Sequence, residues 1–321
     1  MATVDTTTVP QGVNYFYVRT MLKAARPLLL HTQFAQVKDI PEGNGALIRF
    51  RRYSLLAVNT VALTQGVTPT GKSVTVTNVN ATVLQYGDYI THTDFLSMTT
   101  LDPIATEFAE LLGQQAGNSL DQLARDVMAA GTTIQYASTS TARDEVSASM
   151  KINRDEIKEA VRTLKGNNAA KLTSMVNPST GFNTSPIRQA YVGICSEDTE
   201  YDLKDDPDWV PVEQYSSQKG IMEGEIGKLD EVRFISTTNA KVFSTSGAGS
   251  IDVHGTLILA ADYYGISRIA GNALENIITP LGSAGSADPL KQRATQGWKA
   301  SFVAMRLNEN FCVRLEHAVS A

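Results

Sequence analysis

Two β-rich runs, SLLAVNTVALTQ (54–65) and KSVTVTNVNATVLQYGDYI (72–90), flank GVTPTG (66–71). This pattern predicts a long antiparallel hairpin across 54–91, with the turn centred near Thr68 and Pro69. At ~3.3 Å per residue, arms of about 12 residues or more reach on the order of 40 Å. The alternation changes face once on each arm. Leu56 and Val58 share one face and Val61 and Leu63 the other; Val74 and Val76 share one face and Val79, Ala81 and Val83 the other. A switch at one level of both arms predicts a bulge or sharp twist, with the inner and outer halves buried against different surfaces. An arm that long outruns a small body, so the outer half is expected to lie on a neighbouring chain. The alternative is a central hairpin of an ordinary sheet.

The rest of the chain supplies that body. Ile104, Phe108, Leu111, Leu112, Leu120, Leu123, Ala124, Val127 and Met128 recur at helical spacing. With Asp102 as N-cap, Pro103 behind it and Gly131 at the end, they predict a helix over 102–130, roughly 42 Å long. A second helix is expected over 154–165, capped by Asn153 with Glu156 three residues later and stopped by Gly166. AYVGICS (190–196) reads as a buried strand, and short strands are expected at 231–236, 241–244 and 256–260. GWKASFVAMRL, NEN and FCVRLEHA (297–318) predict a closing antiparallel hairpin. Strands and helices do not alternate regularly, so the fold class is α+β rather than doubly wound.

Chemistry is sparse. PLGSAGSADPLKQRATQGWKASF (280–302) has the glycines of a phosphate loop, but no G-K-[ST] follows them and Pro289 opposes a helix directly after. It reads as a turn-rich loop feeding the last strands. His31, His92, His254 and His317 lie far apart, and Cys195 and Cys312 form no C-x-x-C, so no metal, thiol or other cofactor site is expected. SEDTEYDLKDDPDW (196–209) lacks the register of a calcium loop and reads as solvated surface with a turn at Pro207. RFRRY (49–53) is the basic cluster. Arg49, Arg51 and Arg52 could meet nucleic-acid phosphates or a neighbour's carboxylates, or simply guard a strand edge.

The net charge of −5 is unevenly spread. Residues 1–60 hold seven basic and three acidic side chains, a charge of +4, leaving −9 on the remainder. Such a body argues against a free nucleic-acid binder. The first sixteen residues have neither the basic nor the apolar region of a signal peptide, and no apolar run approaches a membrane span. Two distant cysteines suit a reducing compartment. Residues 1–20 have no periodicity, and holding such an arm takes the body or another chain.

The ordered set KDIPEGNGALIRFRRYSLL, LTQGVTPTGKSVTVT, QYGDYITHTDFL, DPIATEFAELLGQQAGNSLDQLARDVMAAGT, DEIKEAVRTLKGNNA, GEIGKLDEVRFISTTNAKVF and PLGSAGSADPLKQRATQGWKASF covers most of residues 20–317. It resembles the major capsid proteins of tailed double-stranded-DNA bacteriophages, in particular the podophage-type family with the Hong Kong 97-type fold. The resemblance implies an N-arm at 1–35, with the extended loop and peripheral domain at 36–140 and the spine helix at 102–130. It implies an axial domain at 141–290 and final strands at 291–321 returning to the peripheral domain. Copies would form pentamers and hexamers of an icosahedral virion shell around non-specifically packaged double-stranded DNA, assembled in the bacterial cytoplasm without catalysis or a membrane. Val61, Leu63, Val67, Pro69, Lys72, Val74 and Val76 would make the hairpin's inter-subunit contacts. Because Met1 lies close to the arm, a separate scaffolding protein is expected, beside a portal and a possible decoration protein. Lys72 has no identified cross-linking partner, and no covalent cross-link is expected. The Thr-rich start disfavours the alternative, an encapsulin-like compartment shell.

Overall fold

The computed structural model describes residues 19–25, 29–54, 56–100, 104–174, 188–215, 221–271, 274–283 and 288–320. The strands are β1 (Gln36–Val37), β2 (Leu47–Tyr53), β3 (Val76–Thr82), β4 (Leu84–Thr93), β5 (Ile134–Tyr136), β6 (Tyr191–Cys195), β7 (Val210–Pro211), β8 (Glu225–Leu229), β9 (Val232–Ser236), β10 (Lys241–Phe243), β11 (Val253–Leu259), β12 (Tyr264–Ser267), β13 (Glu275–Thr279), β14 (Arg293–Arg306) and β15 (Cys312–His317). The helices are α1 (Asp94–Thr99), α2 (Ile104–Ala129), α3 (Arg154–Gly166) and α4 (Glu197–Lys204).

Two sheets carry the body. The 14-residue β14 centres the first; β4 runs along one of its edges, and β13 then β12 along the other, with β1 beyond β12. The second has the order β5-β15-β11-β6-β9-β8-β7, with β10 on β11. Helix α2 lies on the first sheet through a flat face of Ala109, Leu112, Gly113, Ala116, Gly117, Leu120 and Ala124. Leu112, Ala116 and Leu120 share a core with Trp298, Ala300 and Phe302 of β14, and Trp298 Nε1–H donates to Gln115 Oε1 at 3.1 Å. The small residues admit a second backbone. A Cβ on Gly113 would sit 2.5 Å from the Met21 carbonyl oxygen, so the helical segment 19–25 crosses α2 there.

Helix α3 forms as its sequence predicts. The Asn153 side chain accepts from the Glu156 N–H, and Glu156 accepts from the Asn153 N–H. Its stripe of Ile157, Ala160, Val161 and Leu164 packs on the second sheet beside Val232, Phe234, Val313 and Leu315. The left-handed residue behind it is Asn168, φ 54°, rather than Gly166, which stays in the helix. Asn tolerates that conformation by bonding its own backbone locally.

Two expectations need correction. The closing hairpin does not form: β14 belongs to the first sheet and β15 to the second, separated by a 3₁₀ turn at Glu309–Phe311. SEDTEYDLK is not plain surface but helix α4, whose N-cap Ser196 accepts from the Thr199 N–H and whose Leu203 is buried. A turn does follow around Pro207, closed by Trp209 N–H on the Asp206 carbonyl at 3.0 Å. The caps Asp102 and Pro103, the N-arm through residue 18 and Gly285 lie outside the described residues.

Candidate assembly surface

The hairpin is a β-ladder only at its base. Its register runs from Leu47 opposite Thr82 to Tyr53 opposite Val76, and the Ser54 N–H donates to the Thr75 carbonyl at 3.0 Å. On one face Ile48, Phe50, Val79, Ala81 and Val83 pack onto Met305, Leu307 and Ile40 of the body. The opposite face points away and carries Arg49 and Arg51. Arg49 Nε–H donates to Asn80 Oδ1 across the strands at 3.0 Å. Arg52 lies beyond the packed face, with Nη1 donating to the Leu307 carbonyl at 3.4 Å.

Past Tyr53 and Val76 the two arms leave the ladder, so among the described residues the paired outer strands expected from sequence are absent. The turn is Thr64–Val67, closed by Val67 N–H on the Thr64 carbonyl at 3.1 Å with Gly66 at φ 79°. It is not centred on Thr68 and Pro69, and no bulge interrupts the β2–β3 register. The face switch survives as a switch in burial. Val79, Ala81 and Val83 serve the chain's own core, whereas Val74 and Val76 are exposed. Val58, Val61 and Leu63 expose 86%, 77% and 74% of their surface, and Val67 and Pro69 are exposed too. Lys72 Nζ reaches back to the Ala57 carbonyl at 2.7 Å, one of the few ties between the arms. An apolar side chain left in water forgoes about 1.5–3 kcal/mol relative to full burial. In the single chain this row therefore leaves apolar surface uncovered.

A cleft of about 640 Å³ opens beside the hairpin base, lined by Arg51, Arg52, Tyr53, Asn168, Asn308 and Asn310 among others. Among its other lining residues are Ser54 and Asp262. Of the glycine-bearing loop before β14, residues 280–283 and 288–292 are described. Asp288 Oδ2 accepts from the Arg293 N–H at 2.7 Å, and β14 follows directly.

The described residues contain no group of three or more His, Cys, Asp or Glu placed to hold a metal. Cys195 and Cys312 are buried and unbridged, and burial pushes both thiols up, Cys312 to about 12. The sequence missed one pairing. The β11–β15 register sets His254 against His317, with ring centroids 6.4 Å apart. Only the strand pairing, not the spacing of histidines, could have revealed it.

No protein-family model matches the chain. A curated relative, the major capsid protein of Pseudomonas phage KPP21, is 27% identical over 135 residues, which is 40% of this chain and 34% of that protein. The chain thus matches about a third of that relative's length. Among solved structures, the capsid of Ralstonia phage GP4 superposes with a TM-score of 0.71 at 12% identity, over 90% of this chain and 88% of that one. The cyanophage Pam1 capsid asymmetric unit gives 0.67 at 12% identity, over 93% and 92%. The chain has the α+β Hong Kong 97-type capsid fold.

Proposed function

We propose that this chain is the major capsid protein of a tailed double-stranded-DNA bacteriophage, a structural, non-catalytic subunit that self-assembles into the pentamers and hexamers of an icosahedral shell. The observation that carries this reading is the uncovered apolar row Val58, Val61, Leu63, which projects past the end of the β2–β3 ladder. In a closed shell each such row is covered by a neighbour, and symmetry repeats a modest contact many times. Val61, Leu63, Val67, Pro69, Lys72, Val74 and Val76 make that contact. The sequence relative, a phage major capsid protein, supports this reading over an encapsulin-like compartment.

On this reading residues 1–35 are the N-arm and 36–140 carry the extended loop and most of the peripheral body, while the axial body runs from 141 to β11 rather than to 290, and of 291–321 only β14 returns to the peripheral sheet. β12 and β13 share the sheet that covers α2, while β15 lies in the other sheet. The chain therefore crosses between bodies after β11 and again after β14. Packaged DNA is held without sequence recognition, since a body of mainly negative charge does not grip phosphates. A separate scaffold and a portal are the further partners that this reading implies. No described helix is long and apolar enough to cross a membrane.

Negative-stain electron microscopy of the purified chain, alone and with a co-expressed scaffold, tests the proposal. Closed or partial polyhedral shells, or isolated pentamers and hexamers, are expected. A monodisperse small oligomer under every condition would overturn it.

A further inference from the structure

The cleft beside the hairpin base has features that the shell reading does not use. Phe50, Val79 and Leu307 line its floor and belong to the small core beneath β2 and β3, so the floor is fixed. Four stretches close around it: the end of β2, the turn behind α3, the turn between β11 and β12, and the 3₁₀ turn before β15. At about 640 Å³ it lies within the ~300–1,000 Å³ of small-molecule sites.

Its polar groups are uncommitted. Arg52 shares the strand face of Phe50, and Arg51 and Asp262 border the same cleft. Among the described ion pairs, none involves any of the three. The described bond of the Arg52 side chain is Nη1 on the Leu307 carbonyl at 3.4 Å. Asn308 Oδ1 accepts from the Asn310 N–H at 3.4 Å, which leaves the Asn308 amide donors open. The side chains of Asn168 and Asn310 have no described hydrogen bond. Cationic and anionic groups thus border one cleft without pairing, with amide donors beside them.

The donors select the ligand. The guanidinium of Arg52 and the amides of Asn168, Asn308 and Asn310 carry more N–H groups than the two oxygens of a carboxylate accept, whereas a terminal phosphate offers three strong acceptors. Exposed Tyr53 and half-buried Phe311 supply aromatic surface for a planar ring. Asp262, apart from the arginines, accepts N–H groups such as the exocyclic amine of a base. We infer that the cleft binds a nucleoside monophosphate whose base carries an amino group. Its phosphate sits on Arg52 with Arg51 beside it, its base lies against the aromatic wall, and the amino group donates to Asp262. The inference does not rest on the shell reading.

Calorimetric titration of the purified full chain tests it. dAMP and dCMP should each bind saturably at one site per chain. dTMP, whose base has no amino group, should bind several-fold more weakly. Inorganic phosphate and adenosine each carry part of the ligand and should bind at least tenfold more weakly than dAMP. Arg52→Gln alters an exposed side chain and should abolish nucleotide binding without changing the circular dichroism. Asp262 has φ 59°, a conformation that Asn tolerates, so Asp262→Asn should weaken dAMP several-fold and leave dTMP unchanged. Phosphate or dTMP binding as tightly as dAMP would overturn the assignment to an amino-bearing nucleotide. No saturable binding of dAMP at millimolar concentration, or unchanged binding by Arg52→Gln, would overturn the site altogether.

Discussion

His31 and Asp121 meet in the core of the molecule, Nδ1 to Oδ2 at 2.7 Å, with both side chains fully buried. The His31 backbone N–H donates to the other Asp121 oxygen at 2.7 Å, and the Tyr264 hydroxyl donates to the His31 carbonyl. One carboxylate on α2 therefore fastens the segment that leads in from the N-arm, while β12 holds the same residue from the other side.

Removing the carboxylate leaves a buried imidazole and a buried backbone N–H without their acceptor. Asp121→Ala should cost about 3–5 kcal/mol, read as a shift of the urea midpoint of the unassembled subunit. Asp121→Asn keeps an acceptor for the His31 N–H and should cost less. Equal losses for the two variants would show that the backbone bond contributes nothing.

Gly113 offers a test in which two effects have opposite signs. On helix propensity alone, Gly113→Ala should stabilise α2 by about 1 kcal/mol. The added Cβ would lie 2.5 Å from the Met21 carbonyl oxygen, however, and that atom is backbone. Packing should win. We expect a net loss of about 1–3 kcal/mol and faster protease cleavage near residues 19–30. A stabilised protein would show that segment 19–25 does not depend on this crossing.

What the sequence disclosed follows from the range of each signal. Asn153 and Glu156 predicted their helix because a capping box is complete within four residues. The alternation in β14 and β15 identified strands correctly, but alternation does not name a partner, and the two strands entered different sheets. The hairpin turn was misplaced because 66–71 has a glycine at each end, and only Gly66 takes a positive φ. For the basic cluster the sequence offered phosphates, a neighbour's carboxylates or a guarded edge; in the structure Arg49 and Arg51 are exposed on either side of buried Phe50. The exposed character of α1 was not legible, since DFLSMT contains apolar residues in the proportion of a buried helix.

Acid should weaken the subunit through His317. Its Nδ1–H donates to the Ala318 carbonyl at 2.9 Å, which leaves Nε2 to accept from the Thr256 hydroxyl at 2.9 Å. Burial lowers its pKa to about 4. Burial also lowers that of His254, against the pull of Asp198, Asp252 and Asp202. Glu316 precedes His317 on β15 and faces Arg143 and Arg314. In the unfolded chain an imidazole titrates near 6.5, so the unfolded state binds more protons throughout the interval from about 6.5 down to 4. Stability therefore falls as pH drops through that interval, by roughly 3 kcal/mol from His317. Below it this residue costs nothing further. Urea midpoints at several pH values, compared with His317→Gln, should show a shallower slope for the variant; parallel slopes would exclude the residue as the cause.

Cys195 and Cys312 should be inert in the folded chain. Each is buried, and burial raises each thiol's pKa, so little thiolate exists near neutrality. Maleimide at pH 7.5 should leave the native protein unlabelled and modify both cysteines in urea. Labelling of the native protein would mean that one of the two cores opens readily.

The outer hairpin should be dispensable for folding and necessary for assembly. Deleting residues 60–76 joins Asn59 to Thr77 and leaves seven residues, 53–59, to close the turn beyond the Arg52–Thr77 pair. The ladder from Leu47–Thr82 to Arg52–Thr77 survives the deletion, and with it the packing of Ile48, Phe50, Val79, Ala81 and Val83 on the body. None of the removed side chains belongs to a described core. Their loss should change the stability of the isolated subunit by no more than about 0.5 kcal/mol, the scatter typical of surface changes. Val61, Leu63, Val67, Val74 and Val76, which the proposal places against a neighbour, are gone, so stable shells should not form. Circular dichroism and the urea midpoint check the first half, and negative-stain microscopy checks the second. Normal shells from the deleted chain would refute this account of the hairpin, whereas an unfolded subunit would place the outer arm in the fold itself.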